Sequence, residues 1–164
     1  MEIILFLIGG TIYYLIEMMW RGYSHWSMFI LGGICFVIMG LLNEHKFRWK
    51  DSIVKQAVIS AVIITTFEFI TGCIVNLWLG WEVWDYSELP FNLLGQICLY
   101  FSILWIPLSM AGIILDDWIR YLCYLLLRKY IPGMKIRQKP HYKLFSISKR
   151  RALSRCERSH RLFH

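Results

Sequence analysis

Apolar residues fall in four runs separated by short polar stretches. The first, Ile3 to Trp20, closes at RGYSHW, where Trp20, Tyr23 and Trp26 are of the kind that anchors a helix end at a membrane interface. The second, Met28 to Leu42, is short and holds Gly32, Gly33 and Gly40, small residues that let neighbouring helices approach closely, although the GxxxG pattern itself is absent. The third, Ile53 to Leu79, is long enough to tilt. The fourth, Phe91 to Leu115, begins after Pro90, a residue suited to the first turn of a helix, and contains Pro107, which allows a kink. A helix crosses hydrocarbon in about 20 residues. The pattern therefore predicts an all-α membrane protein with a bundle of four transmembrane helices in residues 1–115.

The segment DDWIRYLCYLLLRKYIPG has acids at its start, Arg128 and Lys129 at its end and Pro-Gly after it, as a helix with a complemented dipole would. Its apolar core is short and contains Arg120. The reading adopted for residues 116–132 is a cytoplasmic interfacial helix; the alternative is a fifth transmembrane helix. Residues 133–164 form a basic tail, with 10 Lys and Arg against 1 acid, whereas residues 1–132 hold 8 against 10. Positive charge beside a span marks the cytoplasmic side. With the basic loop NEHKFRWKD also inside, both termini are expected in the cytoplasm and the acidic loop Trp81 to Pro90 outside.

Composition agrees with the pattern. The chain is 57% hydrophobic and 16% aromatic, with a mean hydropathy of +0.49, above the roughly 45 to 50% apolar content of soluble domains. Five cysteines show no CxxC pair and no metal-finger spacing, so neither a disulfide framework nor a metal site is predicted. HExxH and GxSxG are absent, no catalytic set is assigned and no cofactor is expected. The lipid bilayer is the primary partner. Lys149, Arg150, Arg151 and Arg155 give the tail a surface for anionic lipid headgroups. A nucleic-acid partner is not expected, and self-association into a homo-oligomer is left open.

Candidate chemistry sits where polar side chains interrupt the apolar runs, because ionised groups in hydrocarbon cost roughly 2.5 to 3.5 kcal/mol on insertion scales and normally face a protein interior or watery cavity. Glu17, Arg21 and His25 lie at the end of the first run; Glu68 and Asn76 in the outer half of the third; Asn92 and Gln96 at the start of the fourth. Glu17 and Arg21 are spaced i,i+4, as are Asn92 and Gln96, and Glu68, Gly72 and Asn76 form a row on one helix face. These residues are expected to line an outward-open pocket for a small polar solute or ion. The loop WEVWDYSELP serves as its lid, with Asp85 turned over the pocket by Trp84 and Tyr86. The same groups permit other readings: headgroup-level charges and interhelical amides that act as glue; an intramembrane lipid- or envelope-modifying enzyme with Glu68 or Asp85 as general base and His25 in support; or a regulatory protein acting through its tail.

The stretches EMMWRGYSHW (Glu17 to Trp26), TFEFITGCIVN (Thr66 to Asn76) and WDYSELPFNLLGQ (Trp84 to Gln96), with Cys98 and Trp105, resemble the bacterial putative ABC-transporter type IV family of small integral membrane proteins. The resemblance covers most of residues 10–110. It implies a permease-like component of the bacterial inner membrane that depends on a separate ATPase or another membrane partner.

Overall fold

The computed structural model describes residues 1–44 and 52–130, together with Pro140. The expected basic loop around Lys46, Arg48 and Lys50, and the tail with Lys149, Arg150, Arg151 and Arg155, lie outside the described residues. Four helices dominate: α1 (Glu2–Arg21), α2 (Trp26–Leu42), α3 (Ile53–Gly72) and α4 (Leu99–Tyr130), with α3 prolonged by a π-helical turn at Cys73–Trp78. α1, α3 with its extension, and α4 are each long and apolar enough to cross a membrane. α2, at 17 residues, spans about 25 Å at 1.5 Å per residue. Ile3, Met19, Trp20, Val62 and Ile103 are more than half exposed, which suits side chains that meet lipid and not water.

Local sequence explains the helix ends. Gly22 closes α1 in the left-handed conformation and returns its N–H to the Met18 carbonyl. His25 caps α2 by accepting from the Ser27 N–H, and Ser52 caps α3 by accepting from Lys55.

α1 and α2 form one tight pair, α3 and α4 another, and the two pairs join mainly through α2. Glycines set the first pairing. A β-carbon on Gly9 would come within 2.3 Å of the Phe36 side chain, and one on Gly32 within 2.4 Å of the Tyr13 side chain. Each helix thus offers a notch for an aromatic ring of the other. Gly33 gives Phe6 the same room and Gly40 admits Asp116, so the close approach read from these small residues is what the helices make.

Two expectations change. The fourth helix begins at Leu99, not Phe91: residues between Pro90 and Leu99 form a small antiparallel hairpin, β1 (Asn92–Leu93) paired with β2 (Ile97–Cys98). Phe91, Leu94 and Gly95 all have positive φ, which no helix accommodates. Asn92 and Gln96 therefore do not share a helix face. The second change is at Asp116. No separate interfacial or fifth helix starts there; α4 runs unbroken through Pro107 and Asp116 to Tyr130, a rod about 48 Å long.

A terminal end of the bundle thus holds Glu2, Asn43, Ser52 and Arg120, and a hairpin end holds Arg21, Trp26, Trp78 and the hairpin. Cysteines introduced singly at Glu44 and Leu127, in a cysteine-free background, are expected to react with an impermeant reagent from one side of sealed vesicles, and a cysteine at Glu88 from the other. Labelling of all three from one side would break this arrangement.

Candidate functional site

At the hairpin end the expected residues sort into three hydrogen-bonded groups. In the first, Glu17 Oε2 accepts from Arg21 Nη2 and from Ser24 Oγ, each at 2.8 Å, while Arg21 Nη1 donates to the Val83 carbonyl at 3.1 Å. The i,i+4 spacing makes the ion pair, and the carbonyl ties it to the loop that follows α3. The guanidinium also lies over the Tyr23 ring, 5.2 Å from its centroid.

The second group surrounds Glu68, which is 1% exposed. Its Oε2 accepts from the Trp105 indole N–H at 2.8 Å and its Oε1 from the Tyr86 hydroxyl at 3.2 Å. Tyr86 stacks on Phe101 with centroids 4.9 Å apart, which brings the loop's ring into the bundle. Burial, reinforced by the neighbouring Glu68 carboxylate, pushes the Tyr86 phenol far above its ordinary range, so it stays a donor.

The third group is built on Asn76 in the π-helical turn. Its amide donates to the Trp84 carbonyl at 3.0 Å and to Gln96 Oε1 at 2.7 Å, and its oxygen accepts from the Val83 N–H at 2.8 Å. The Trp84 indole donates to the Gln96 carbonyl. Gly72 leaves room for Gln96, whose Oε1 would stand 2.6 Å from a β-carbon there. The row Glu68, Gly72, Asn76 on α3 thus faces the loop and hairpin along its length. An amide that fills all of these contacts stitches backbone together and leaves little free for a solute.

Three expected residues are engaged elsewhere. Asp85 is exposed and accepts from the Ser87 hydroxyl and N–H, bonds that hold its carboxyl below the usual range; it is not turned over the pocket. Asn92 is exposed and closes its hairpin by donating to the Ser87 and Leu89 carbonyls and accepting from Gly95. His25 caps α2 and packs against Trp26 and Trp81.

Open space lies between α1 and α4. A chamber of about 250 Å³ is walled by Ile12, Leu31, Met39, Ile64 and Leu115, with Glu68 and Ser109 among its lining. A second, of about 430 Å³, lies toward the hairpin end and is lined by Glu17, Trp20, Arg21, Tyr86 and Phe101. Tyr13, Ile16, Trp105 and Leu108 belong to both. The rings of Tyr13 and Trp105, 5.8 Å apart, stand at the boundary. The lining is chiefly apolar, unlike the polar pocket expected from sequence.

The model of the family described as Putative ABC-transporter type IV matches residues 4–134. The chain belongs to this family. No curated protein and no solved structure matches it. The match takes in all three hydrogen-bonded groups and both chambers of this type IV family member, and it ends beyond α4.

Sequence reasoning missed a polar cluster at the terminal end. Arg120, 5% exposed, donates from Nη1 and Nη2 to the two carboxylate oxygens of Glu2 at 2.8 and 2.9 Å, and from Nε to Asp116 Oδ2 at 2.9 Å. The i,i+4 spacing of Asp116 and Arg120 was visible in the sequence; Glu2, 118 residues away, was not. Arg120 is thereby neutralised in place, which removes the objection that it raised to a membrane-embedded α4. Breaking a buried ion pair by deleting one partner costs roughly 3 to 5 kcal/mol. Arg120→Met is expected to lose stability of that order in detergent unfolding, and adding Asp116→Leu with Glu2→Gln to recover most of it. A single substitution that costs under about 1 kcal/mol, the range of surface pairs, would mean that the cluster does not hold these helix ends.

Proposed function

We propose that this chain is the membrane-spanning component of an ABC-type transport system, taking its ligand in the cleft between α1 and α4 and drawing energy from a separate ATPase. Membership of the type IV family supports the transport context. These 164 residues contain no GxxxxGK[ST] phosphate loop, so they do not themselves supply the nucleotide-hydrolysing site. The basic bias of residues 133–164 favours an inner-membrane orientation with both termini in the cytoplasm. In that orientation the hairpin end faces outward and the terminal end faces the ATPase.

The observation that carries the assignment is Glu68: a carboxylate held by donors from α4 and from the loop, in the wall of a cavity between helices. Ionisable groups at such depth in a membrane protein are rare and are by default candidates for substrate or ion pathways. Glu17 and Arg21 stand at the cleft's hairpin-end chamber, where they would meet a ligand first. Asp85, Asn92 and His25 keep structural duties.

The test is recovery and function of the complex. Mild extraction of the tagged chain from its native membrane is expected to bring down a stoichiometric ATPase whose hydrolysis, in the reconstituted pair, falls at least tenfold with Glu68→Gln at unchanged expression, with thermal stability lowered by no more than the one hydrogen bond that an amide nitrogen cannot accept. Glu68→Leu with raised stability and unaltered hydrolysis would remove Glu68 from the mechanism, and the absence of any ATPase would overturn the transport reading.

A further inference from the structure

The deep chamber contains a polar atom that nothing in the fold uses. Ser109 lines it, is fully buried, and its hydroxyl has no hydrogen-bond partner among the described residues. A helical serine ordinarily satisfies itself by donating to the carbonyl four residues back, as Ser102 does here to Cys98 at 2.9 Å. Leaving a buried hydroxyl unpaired is costly, and such groups call for an explanation. Glu68 is in the same lining, and each of its oxygens accepts one bond, with lone-pair capacity remaining on a carboxylate. A donor-acceptor hydroxyl and an acceptor carboxylate therefore share one chiefly apolar chamber.

The route to that chamber runs sideways. α1 packs on α2 and α4 on α3, so α1 and α4 share few direct contacts, and the two chambers lie beside them on either side of Tyr13 and Trp105, the deeper one walled also by α2 and α3. The larger, about 430 Å³, lies within the roughly 300 to 1,000 Å³ of ordinary ligand sites. Exposed Met19, Trp20 and Leu104 stand at its rim, so its surroundings are those of lipid.

We propose that the α1–α4 cleft binds a long-chain lipophile with one compact oxygen-bearing head, a hydroxyl or a quinone-type carbonyl, seated head-first at Ser109 and Glu68 with its hydrocarbon chain leaving through the larger chamber. This rests on the cleft being the ligand site of the transport reading and names the ligand's class. A strongly charged or sugar-like head is disfavoured because the deep chamber offers it few polar partners, Ser109 and Glu68 with the Tyr13 phenol and the Cys35 thiol, within chiefly apolar walls. A bare hydrocarbon would leave Ser109 as unsatisfied as before. Ser109 bonds either head, donating to a carbonyl or to a hydroxyl oxygen, and Glu68 accepts only from the hydroxyl. The ratio of the two classes of ligand is therefore sensitive to Glu68, and binding of both to Ser109.

The experiment uses the full chain in nanodiscs, without an ATPase, and a diazirine-bearing dodecanol as photolabel. Labelling is expected in peptides covering Ile12 to Ile16 and Trp105 to Leu115, with competition by dodecanol or by a decyl benzoquinone but not by dodecane. Competition by the alcohol but not the quinone assigns a hydroxyl head, and competition by the quinone at a lower concentration than the alcohol a carbonyl head. Ser109→Ala is expected to cut labelling about tenfold while leaving thermal stability equal or higher, since the change removes an unpaired group. Equal competition by dodecane, absence of label from the cleft, or labelling indifferent to Ser109→Ala would each overturn the proposal. Such a failure beside a recovered, Glu68-dependent ATPase would leave the transport reading standing; binding of the lipophile without any ATPase would do the reverse.

Discussion

A carboxylate midway along an apolar helix has to be met by donors, and the placement of Glu68 dictates where its neighbours go. Its two partners come from different regions of the chain: Trp105 from α4 and Tyr86 from the loop after α3. The first bond fixes how α3 and α4 face one another. The second draws the loop inward, so that Val83 and Trp84 become buried and the hairpin end is sealed by packed backbone. Because water is absent from hydrocarbon, backbone polar groups there must be satisfied within the protein. The Asn76 and Gln96 amides follow from the same constraint: once the loop is pulled in, its carbonyls and N–H groups need partners, and the π-helical turn presents Asn76 to supply them.

The two helix pairs are held by different physics, and the seam between them follows from that. α1 and α2 meet through glycine notches and aromatic rings, contacts that depend on close van der Waals fit. α3 and α4 meet through a buried hydrogen bond as well as apolar packing. Along α1 and α4 neither device operates. There the contacts are a ring pair at mid-height and an ion cluster at the terminal end, with space on both sides of the rings. Fusing the chambers into one groove would require a change of rotamer at Tyr13, Trp105 being held by its bond to Glu68, whereas opening the α1–α2 seam would sacrifice its glycine contacts.

Much of this was legible in the sequence because hydropathy reports directly on what faces lipid. The apolar runs of α1, α2 and α3 matched the helices to within a few residues, and the i,i+4 pair Glu17–Arg21 met as spacing said it would. The fourth helix was misread at both ends for separate reasons. At its start, FNLLGQIC is apolar enough for a helix, but Phe91, Leu94 and Gly95 take left-handed backbone that hydropathy does not register. In the middle, Asp116, Asp117 and Arg120 look like a helix boundary until Glu2 is known to face them, and that pairing is a fact of topology with no local signal. The same distinction separates the site residues. Glu68 stood out by depth alone, whereas Ser109, an ordinary residue in an apolar run, gains meaning only from the cavity beside it and the bond it does not make.

The two ends of the α1–α4 seam differ in how firmly they are joined. At the terminal end, Arg120 binds both oxygens of Glu2 and one of Asp116, three charge-assisted hydrogen bonds on one guanidinium. At the hairpin end, among the described residues, α1 makes its hydrogen bond across the seam through Arg21, and what Arg21 grips is the carbonyl of Val83 in the loop and not α4 itself. Widening at the terminal end would have to pull α1 from a buried cation; widening at the hairpin end would have to release one hydrogen bond at 3.1 Å and separate the Tyr13 and Trp105 rings. The less costly displacement of α1, carried together with the α2 packed on it, is therefore a swing about its Glu2 end. That motion enlarges the larger chamber first and reaches Glu68 and Ser109 only once Tyr13 has moved away from Trp105. The Glu2–Arg120 pair, in which Arg120 is buried and Glu2 partly exposed, would thus make the hairpin end the side from which the seam opens.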